Sequence, residues 1–421
     1  MNINDSAKIK NVLLDMGYEM TESMDKADAV FINTCTVRDG AAQKVYGKLG
    51  ELKHLEKKNP NMIVGVTGCL AQEEKEEVKK KVKFVDMVIG NQNIYQIPQY
   101  MDKILNKKIK SVILVDNEDE LPPRIDAEFE SDISAYISIM YGCNNFCTYC
   151  IVPHVRGRER SVNKEDILRD VKSYVEKGYK EITLLGQNVN SYNGGGKEFA
   201  ELLKDIAAID GKFRIRFTSP HPRDFSDEVL DVVASNEKIS KNIHLPLQAG
   251  STSVLKSMNR GYTKEEYLEL VERIKQKIDN VAITTDIIVG FPGETEENFQ
   301  DTLDVVLKTG YENAYMFMYS KRKGTPAAVM ENQVSDEDKE DRLQRLIKIQ
   351  TEMSRKLSDC YLGKTVEVLV EGTTKKNDEF YTGRTDSNKV VIFKGNKDMV
   401  GKFVNLKIVD VRTWTLYGEC I

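Results

Sequence analysis

Three cysteines, Cys143, Cys147 and Cys150, stand in the stretch GCNNFCTYC, close enough along the chain to serve one metal centre. Three thiolates can hold three irons of a [4Fe–4S] cluster and leave the fourth iron open, whereas a ferredoxin closes every iron with four cysteines. An open iron can chelate the amino and carboxylate groups of S-adenosylmethionine. One electron from the cluster then splits a C–S bond and yields a 5′-deoxyadenosyl radical able to take an unactivated hydrogen. The cofactor performs that step; the protein orients it and excludes water. A second chemistry fits the same residues, because His154 follows Cys150 by four positions and completes a Cys3His set suited to structural zinc. Position favours the first. The trio follows the first strand of a βα series, at the strand end where such folds place chemistry.

Two further cysteines, Cys35 in VFINTCTVR and Cys69 in VGVTGCLAQ, each follow an apolar run and so sit at carboxyl ends of parallel strands. A helix follows each, and its N-terminal amides favour a thiolate; the bland alternative is a small buried side chain. Cys360 and Cys420 have no companions and read as structural. The four histidines, His54, His154, His221 and His244, do not form an acid–base set. Gly186 and Gln187 end a barrel strand, where backbone approach to the amino group of S-adenosylmethionine competes with a plain βα turn. Gly290, Pro292 and Gly293 are open to the same two readings.

The elements that must carry these residues come in three groups. Residues 1–105 alternate helix and strand, with strands near 27–33, 62–67 and 85–89, the rhythm of an open parallel α/β sheet of flavodoxin or Rossmann type. Residues 106–133 lose that rhythm, gather acidic residues and a Pro-Pro pair, and read as a linker. From 134 to 358 a second series predicts strands near 135–140, 181–186, 212–217, 241–246, 282–289 and 313–319, then a trailing helix over 336–358. Six repeats are fewer than the eight of a closed barrel, so a partial (β/α)6 barrel is expected. Residues 359–421 change to short β-rich runs broken by Gly, Asn and Asp, which predict a small β-barrel.

Composition sets the outer limits. The 421 residues carry 61 Lys+Arg against 66 Asp+Glu, a net charge of −5, which excludes a generally basic nucleic-acid coat but allows local patches. No apolar run reaches the ~18 residues of a membrane helix, and no basic-then-apolar leader opens the chain. The expected setting is the cytoplasm, without membrane association, where thiols stay reduced and seven cysteines point to metal or redox chemistry.

At the trio and its surroundings the chain resembles the radical S-adenosylmethionine methylthiotransferases. GCNNFCTYCIVP and RGRERS carry the likeness. It continues through NTCTVRDGAAQKVYGKLG, GCLAQ, LLGQNVNSY, SPHP, HLPLQAGS, MNRGYT, TDIIVGFPGET and YSKRKGTPA, over essentially the whole chain. Within that family it is most similar to the tRNA-2-methylthio-N6-dimethylallyladenosine synthases, on the TVR after Cys35 and the RGRERS after the trio. Relatives acting on threonylcarbamoyl-adenosine or a ribosomal protein usually differ there and remain an alternative, as does a noncatalytic Cys3His zinc protein that binds RNA.

The resemblance implies a methylthiotransferase domain, a radical barrel and a C-terminal TRAM domain. It also implies S-adenosylmethionine and two [4Fe–4S] clusters, one on Cys143, Cys147 and Cys150 and an auxiliary one on Cys35, Cys69 and a third cysteine. That third ligand belongs to a Gly-Cys-Gln-Met-Asn motif whose Met-Asn matches Met1-Asn2, so the first strand and the third cysteine are expected upstream of Met1. The implied substrate is an anticodon stem-loop with a modified adenosine, extruded from its stack, with an electron donor and a sulfur source as further partners of a monomeric enzyme. RNA contacts are expected from Arg156, Arg158 and Arg160 beside the trio, Lys321, Arg322 and Lys323 after the sixth strand, and Lys375 and Lys376 in the last domain, with Arg384 and Phe393 helping by shape and stacking. The last 61 residues carry 10 Lys+Arg and 8 Asp+Glu, so any grip there is only weakly electrostatic.

Overall fold

The computed structural model describes residues 1–34, 40–56, 58–115, 120–127, 129, 131–375 and 377–421. The chain divides into two compact units: Met1–Glu130 with Met140–Asn144 and Cys150–Arg160, and Ser131–Ile139 with Asn145–Tyr149 and Ser161–Ile421.

The first unit is built on four parallel strands, β1 (Ala29–Thr34), β2 (Ile63–Gly68), β3 (Met87–Ile89) and β4 (Val112–Leu114), in that spatial order. Every residue of β2 is buried, as continuous apolar runs require when helices cover both faces of a parallel sheet. On one face α2 (Ala41–Glu56) sets Val45, Leu49 and Leu52 against Val64 and Val66. On the other, Ile9 and Val12 of α1 (Asn2–Asp15) pack with Ile63, Met87 and Ile89. The short α3 (Cys69–Glu74) and α4 (Glu76–Lys81) follow β2, and α5 (Ile97–Leu105) adds Ile97 and Met101 to the α1 side. The segment 106–133, expected as linker throughout, contributes β4, whose three residues pair with β3. Its apolar triplet Val112-Ile113-Leu114 is short and sits among polar residues, too brief for periodicity to mark.

In the second unit β5 (Ser134–Ser138), β8 (Glu181–Leu185) and β11 (Arg214–Phe217) form one parallel sheet. A second comprises β12 (Asn242–His244), β13 (Ala282–Val289) and β14 (Asn313–Met318). A parallel bridge between Ile215 and Ile239 joins them, closed by Ile215 N to Lys238 O at 2.7 Å and Ser240 N to Ile215 O at 2.9 Å. The six strands therefore run in sequence order around an open half-barrel. The two-residue strands β6 (Met140–Tyr141) and β7 (Arg160–Ser161) bracket the cysteine loop in sequence, and β9 (Asn193–Gly194) pairs antiparallel with β10 (Lys197–Glu198).

The helix α6 (Val152–Arg156) belongs to the first unit. In the second, α7 (Lys164–Glu176), α8 (Phe199–Ala207), α9 (Asp227–Ser235), α10 (Thr252–Ser257), α11 (Lys264–Lys277) and α12 (Glu296–Thr309) alternate with the strands. Capping boxes start α11 at Thr263/Glu266 and α12 at Thr295/Asn298, each satisfying two amides that would otherwise lack partners. The long α13 (Asp336–Asp359) follows β14; its Gln350 donates to Tyr311 O at 2.8 Å and its buried Arg342 pairs with Glu294 at 2.9 Å.

A closed five-stranded barrel ends the chain, in the order β15 (Thr365–Thr374), β16 (Asn377–Thr385), β17 (Val390–Lys394), β19 (Thr415–Cys420), β18 (Phe403–Val411). Its core is Val368, Val370, Val391, Phe393, Leu406, Ile408 and Leu416. Rather than standing alone, this barrel belongs to the half-barrel's unit. Arg216 donates to Thr385 O at 2.9 Å and Asp386 O at 3.1 Å, Arg214 donates to Arg384 O at 3.1 Å, and Arg216 pairs with Glu181 at 2.7 Å.

Candidate functional site

The cysteine loop leaves the end of β5 and is pinned at several points. In the first unit, Cys143 N bonds Gly157 O at 3.2 Å and Glu159 N bonds Asn144 Oδ1 at 3.3 Å. Gly142 stands at φ +75°, where a Cβ would overlap the Arg158 carbonyl, so only glycine fits. In the second unit, Thr148 N bonds Met258 O at 3.0 Å, Ala327 N bonds Thr148 O at 2.9 Å, and Asn259 Nδ2 reaches the carbonyls of Asn145 and Phe146 at 3.2 and 3.1 Å. Phe146 is held at φ +46°, a conformation that costs a bulky residue about 1–3 kcal/mol and persists only when its surroundings impose it.

Cys143 and Cys147 are buried and Cys150 is half-buried. Against the Cys147 sulfur lies the guanidinium of Arg260, itself 5% exposed, donating at 3.4 Å. Arg260 also donates to Pro246 O at 3.3 Å and to the Tyr262 hydroxyl at 3.1 Å, and that hydroxyl donates to Leu247 O at 2.9 Å. Next to Tyr262, at 5.7 Å between ring centroids, is His221. Its Nδ1 accepts from Arg223 N, so Nε2 carries the proton. Burial first, and then the charge of Arg260, push its imidazole down to about 3. His221 is therefore a neutral wall residue at any physiological pH. Arg223 completes the frame by donating to Asn145 Oδ1 at 2.7 Å. Arg223, directly after SPHP, and residues of MNRGYT and KGTPA, far apart in sequence, thus all grip one loop.

Of these, Arg260, Asn259, Arg223 and Tyr262 had no signal in spacing or composition. The loop carries three thiols, a donor type that would suit an iron–sulfur cluster better than a hard-cation site, and the Arg260 guanidinium lies beside one of them, Cys147. Among the described residues no three His, Cys, Asp or Glu groups converge as a ready-made cage. His154, the fourth member of the Cys3His alternative, is exposed.

The other expected residues divide. Gly186 and Gln187 follow β8 directly, at the same strand-end level as the loop. Gly290 is explained by packing: a Cβ there would overlap the Lys339 side chain, and its N–H donates to Glu294 Oε1 at 2.8 Å. In the first unit Thr34 pairs with Gly68 at the ends of β1 and β2, the strands that precede Cys35 and Cys69 in sequence. Cys69 is buried at the start of α3; Cys35 and Lys376 lie outside the described residues.

Arg156, expected on phosphate, is 7% exposed and paired with the more deeply buried Asp5 at 3.1 Å. Burial opposes its charge, but Cys69 and Asp5 outweigh that and hold it firmly protonated. Arg160 is half-buried and spent on Gln92 Oε1 at 3.1 Å and Glu120 O at 2.7 Å. Arg158, Lys321, Lys323 and Lys375 are exposed, and Arg322 is half-buried. Phe393, expected to stack on bases, is 1% exposed in the barrel core, and Arg384 is tied to Glu371 at 3.1 Å.

Comparison with known proteins agrees with this geometry. Residues 137–306 match the Radical SAM superfamily, residues 1–90 the uncharacterized protein family UPF0004 and residues 360–421 the TRAM domain. A solved radical S-adenosylmethionine methyltransferase, TsrM from Kitasatospora setae with cobalamin and a [4Fe–4S] cluster bound, shares the fold at TM-score 0.59 and 14% identity, over 77% of this chain and 74% of that one. A tRNA-2-methylthio-N(6)-dimethylallyladenosine synthase of Fusobacterium nucleatum subsp. nucleatum is 59% identical over 100% of this chain and 97% of its own length. The synthase of Acetivibrio thermocellus is 48% identical over 100% and 89%. Relatives 59% and 48% identical over the whole of this chain show that the protein belongs to the tRNA-2-methylthio-N(6)-dimethylallyladenosine synthase family.

Proposed function

We propose that the chain is a transferase that adds a methylthio group to C2 of N6-isopentenyladenosine beside the anticodon of tRNA. The observation that carries this reading is the thiol-only trio Cys143, Cys147 and Cys150 on a strand-end loop, in a chain alignable over its whole length with synthases of that name. When bound, S-adenosylmethionine and two [4Fe–4S] clusters supply the hydrogen abstraction and the sulfur that no side chain here offers. The residues of the chain do the rest. The trio holds one cluster, with Arg260 as its fixed countercharge. Cys69 and Cys35 are two of the three thiolates that the auxiliary one takes. Neutral His221 and the buried Tyr262 keep the wall behind the loop free of mobile protons. Gly186 and Gln187 offer the backbone approach for the amino group of S-adenosylmethionine.

Exposed Lys321, Lys323, Lys375 and Arg158 supply phosphate contacts, with Arg322 and Lys376 beside them. The reaction consumes electrons and sulfur, so the reading includes an electron donor and a sulfur source, with the chain working as a monomer. No helix among the described residues is long and apolar enough to cross a membrane; the substrate places the work in the cytoplasm. Nucleoside mass spectrometry of tRNA from a deletion strain tests the assignment. Loss of the methylthio group with the isopentenyl precursor left behind supports it, and unchanged tRNA defeats it.

A further inference from the structure

Two large aromatic side chains stand in the open on the last strand of the half-barrel: on β14, Tyr315 is 47% exposed and Phe317 is 39% exposed. Residues paired in register across parallel strands share a face. Tyr315 pairs with Asp286 and Phe317 with Ile288 of β13, while His244 of β12 pairs with Thr284. All six therefore line one face of the sheet. The opposite face carries Ile283, Thr285, Ile287 and Val289, all buried, as the helix-covered side of a βα sheet requires. The aromatic face is thus the concave inner one. A polar pair is set into it. His244 Nε2 lies 3.3 Å from Asp286 Oδ2 and Nδ1 lies 3.0 Å from Thr284 Oγ1, and the ring meets that of Tyr315 edge-on with centroids 5.9 Å apart. The chain then leaves β14 into Lys321, Arg322 and Lys323, of which the two lysines are exposed. Open rings followed on the same strand by cations form a surface complementary to nucleic acid, bases stacking on the rings and phosphates meeting the cations.

We infer that this inner face of β12, β13 and β14 receives the extruded adenine and selects its N6 substituent. Tyr315 stacks on the base, Phe317 and Ile288 take the branched hydrocarbon on N6, and the His244–Asp286 pair meets the polar edge of the ring. The inference rests on the isopentenyladenosine reading and adds to it the residues that choose that group. Selection works by desolvation. The hydrocarbon leaves water against Phe317 and Ile288, where an unmodified amine gains nothing. A carboxylate-bearing substituent would bring its charge against hydrocarbon and against Asp286, which disfavours it.

The test measures equilibrium binding of anticodon stem-loops, one isopentenylated and one carrying plain adenosine, to the full chain reconstituted without oxygen. The native chain is expected to favour the isopentenylated stem-loop by about tenfold, the scale set by methylenes in an apolar pocket. Phe317→Ser should cut that preference to about twofold or less by weakening only the isopentenylated stem-loop, and Phe317→Leu should keep most of it. Tyr315→Ala should weaken both stem-loops. The salt slope should stay unchanged in all three variants, because no phosphate contact is lost. Should Phe317→Ser fold poorly, Ile288→Thr on the neighbouring strand reports the same ratio. Equal binding of the two stem-loops by the native chain, a preference that Phe317→Ser or Ile288→Thr leaves intact, or a shallower salt slope in Phe317→Ser overturns the inference. Methylthiolated tRNA persisting in a deletion strain instead overturns the substrate reading, and is distinguishable because it is measured on cellular tRNA, whatever the variants bind.

Discussion

Replacing Arg216 by methionine should loosen the terminal barrel from the half-barrel. Arg216 is 9% exposed, its Nε lies 2.7 Å from Glu181 Oε2, and its terminal nitrogens serve Ser240 Oγ at 2.6 Å, Asp386 O at 3.1 Å and Thr385 O at 2.9 Å. Methionine keeps most of the apolar stem and removes the charge and donors. Stranding one partner of a buried ion pair costs about 3–5 kcal/mol. Arg214 stands 3.7 Å from the same carboxylate and takes up part of the loss, so the lower end, ~3 kcal/mol, applies. The chain has a single tryptophan, Trp414, located between β18 and β19 of the terminal barrel. Its fluorescence therefore reports the barrel while far-ultraviolet circular dichroism reports the whole. In Arg216→Met the fluorescence transition in urea should move to lower denaturant and separate from the dichroism transition. Adding Glu181→Gln removes the stranded charge and should recover about 1–2 kcal/mol of the loss, a non-additivity expected of groups in contact. A stability change within ~0.5 kcal/mol, the range of ordinary surface substitutions, or strictly additive variants, would show that the buried pair does not hold the barrel in place.

Serine at any of Cys143, Cys147 or Cys150 should abolish methylthiolation and remove about half the iron of the reconstituted protein, measured by iron assay; full iron content would refute their role. Arg260→Gln should leave tRNA binding unchanged but lower iron occupancy at the trio or shift its potential negative, with Arg260→Lys closer to the native protein, read by the same assay and redox titration. For His221 the folded value of about 3 lies below the unfolded 6.5. Its contribution to stability is thus complete above pH 6.5 and is lost as pH falls from 6.5 towards 3, by at most about 5 kcal/mol. In His221→Gln the fall in denaturation midpoint over that window should be shallower than in the native chain. Lys321→Glu with Lys323→Glu should weaken tRNA binding roughly tenfold and reduce the salt slope by about two, as loss of two phosphate contacts requires.

The local patterns in this chain speak clearly and the long-range ones do not. The cysteine trio and the six βα repeats are legible because their signals lie within a few residues: thiol spacing in one case, apolar runs followed by helical periods in the other. Phe393 was not legible: Val390–Phe393 is apolar throughout, and only the structure shows Val391 and Phe393 buried on either side of half-buried Ile392, which places the ring inside rather than on RNA. Nor was the fate of Arg156, since Arg156, Arg158 and Arg160 form one alternating basic stretch and only Asp5, 151 residues away, distinguishes the buried member. Arg260 meets Cys147 across 113 residues, and Arg216 meets Thr385 across 169. In each case a buried cation is found where a second segment brings an acceptor that the first could not foretell. A buried guanidinium without such a partner would cost several kcal/mol, so the folding of the distant segments is itself what makes these three arginines tolerable. That dependence runs in both directions. The same arginines define which distant segments must arrive, and two of them, Arg156 and Arg260, stop at a cysteine sulfur.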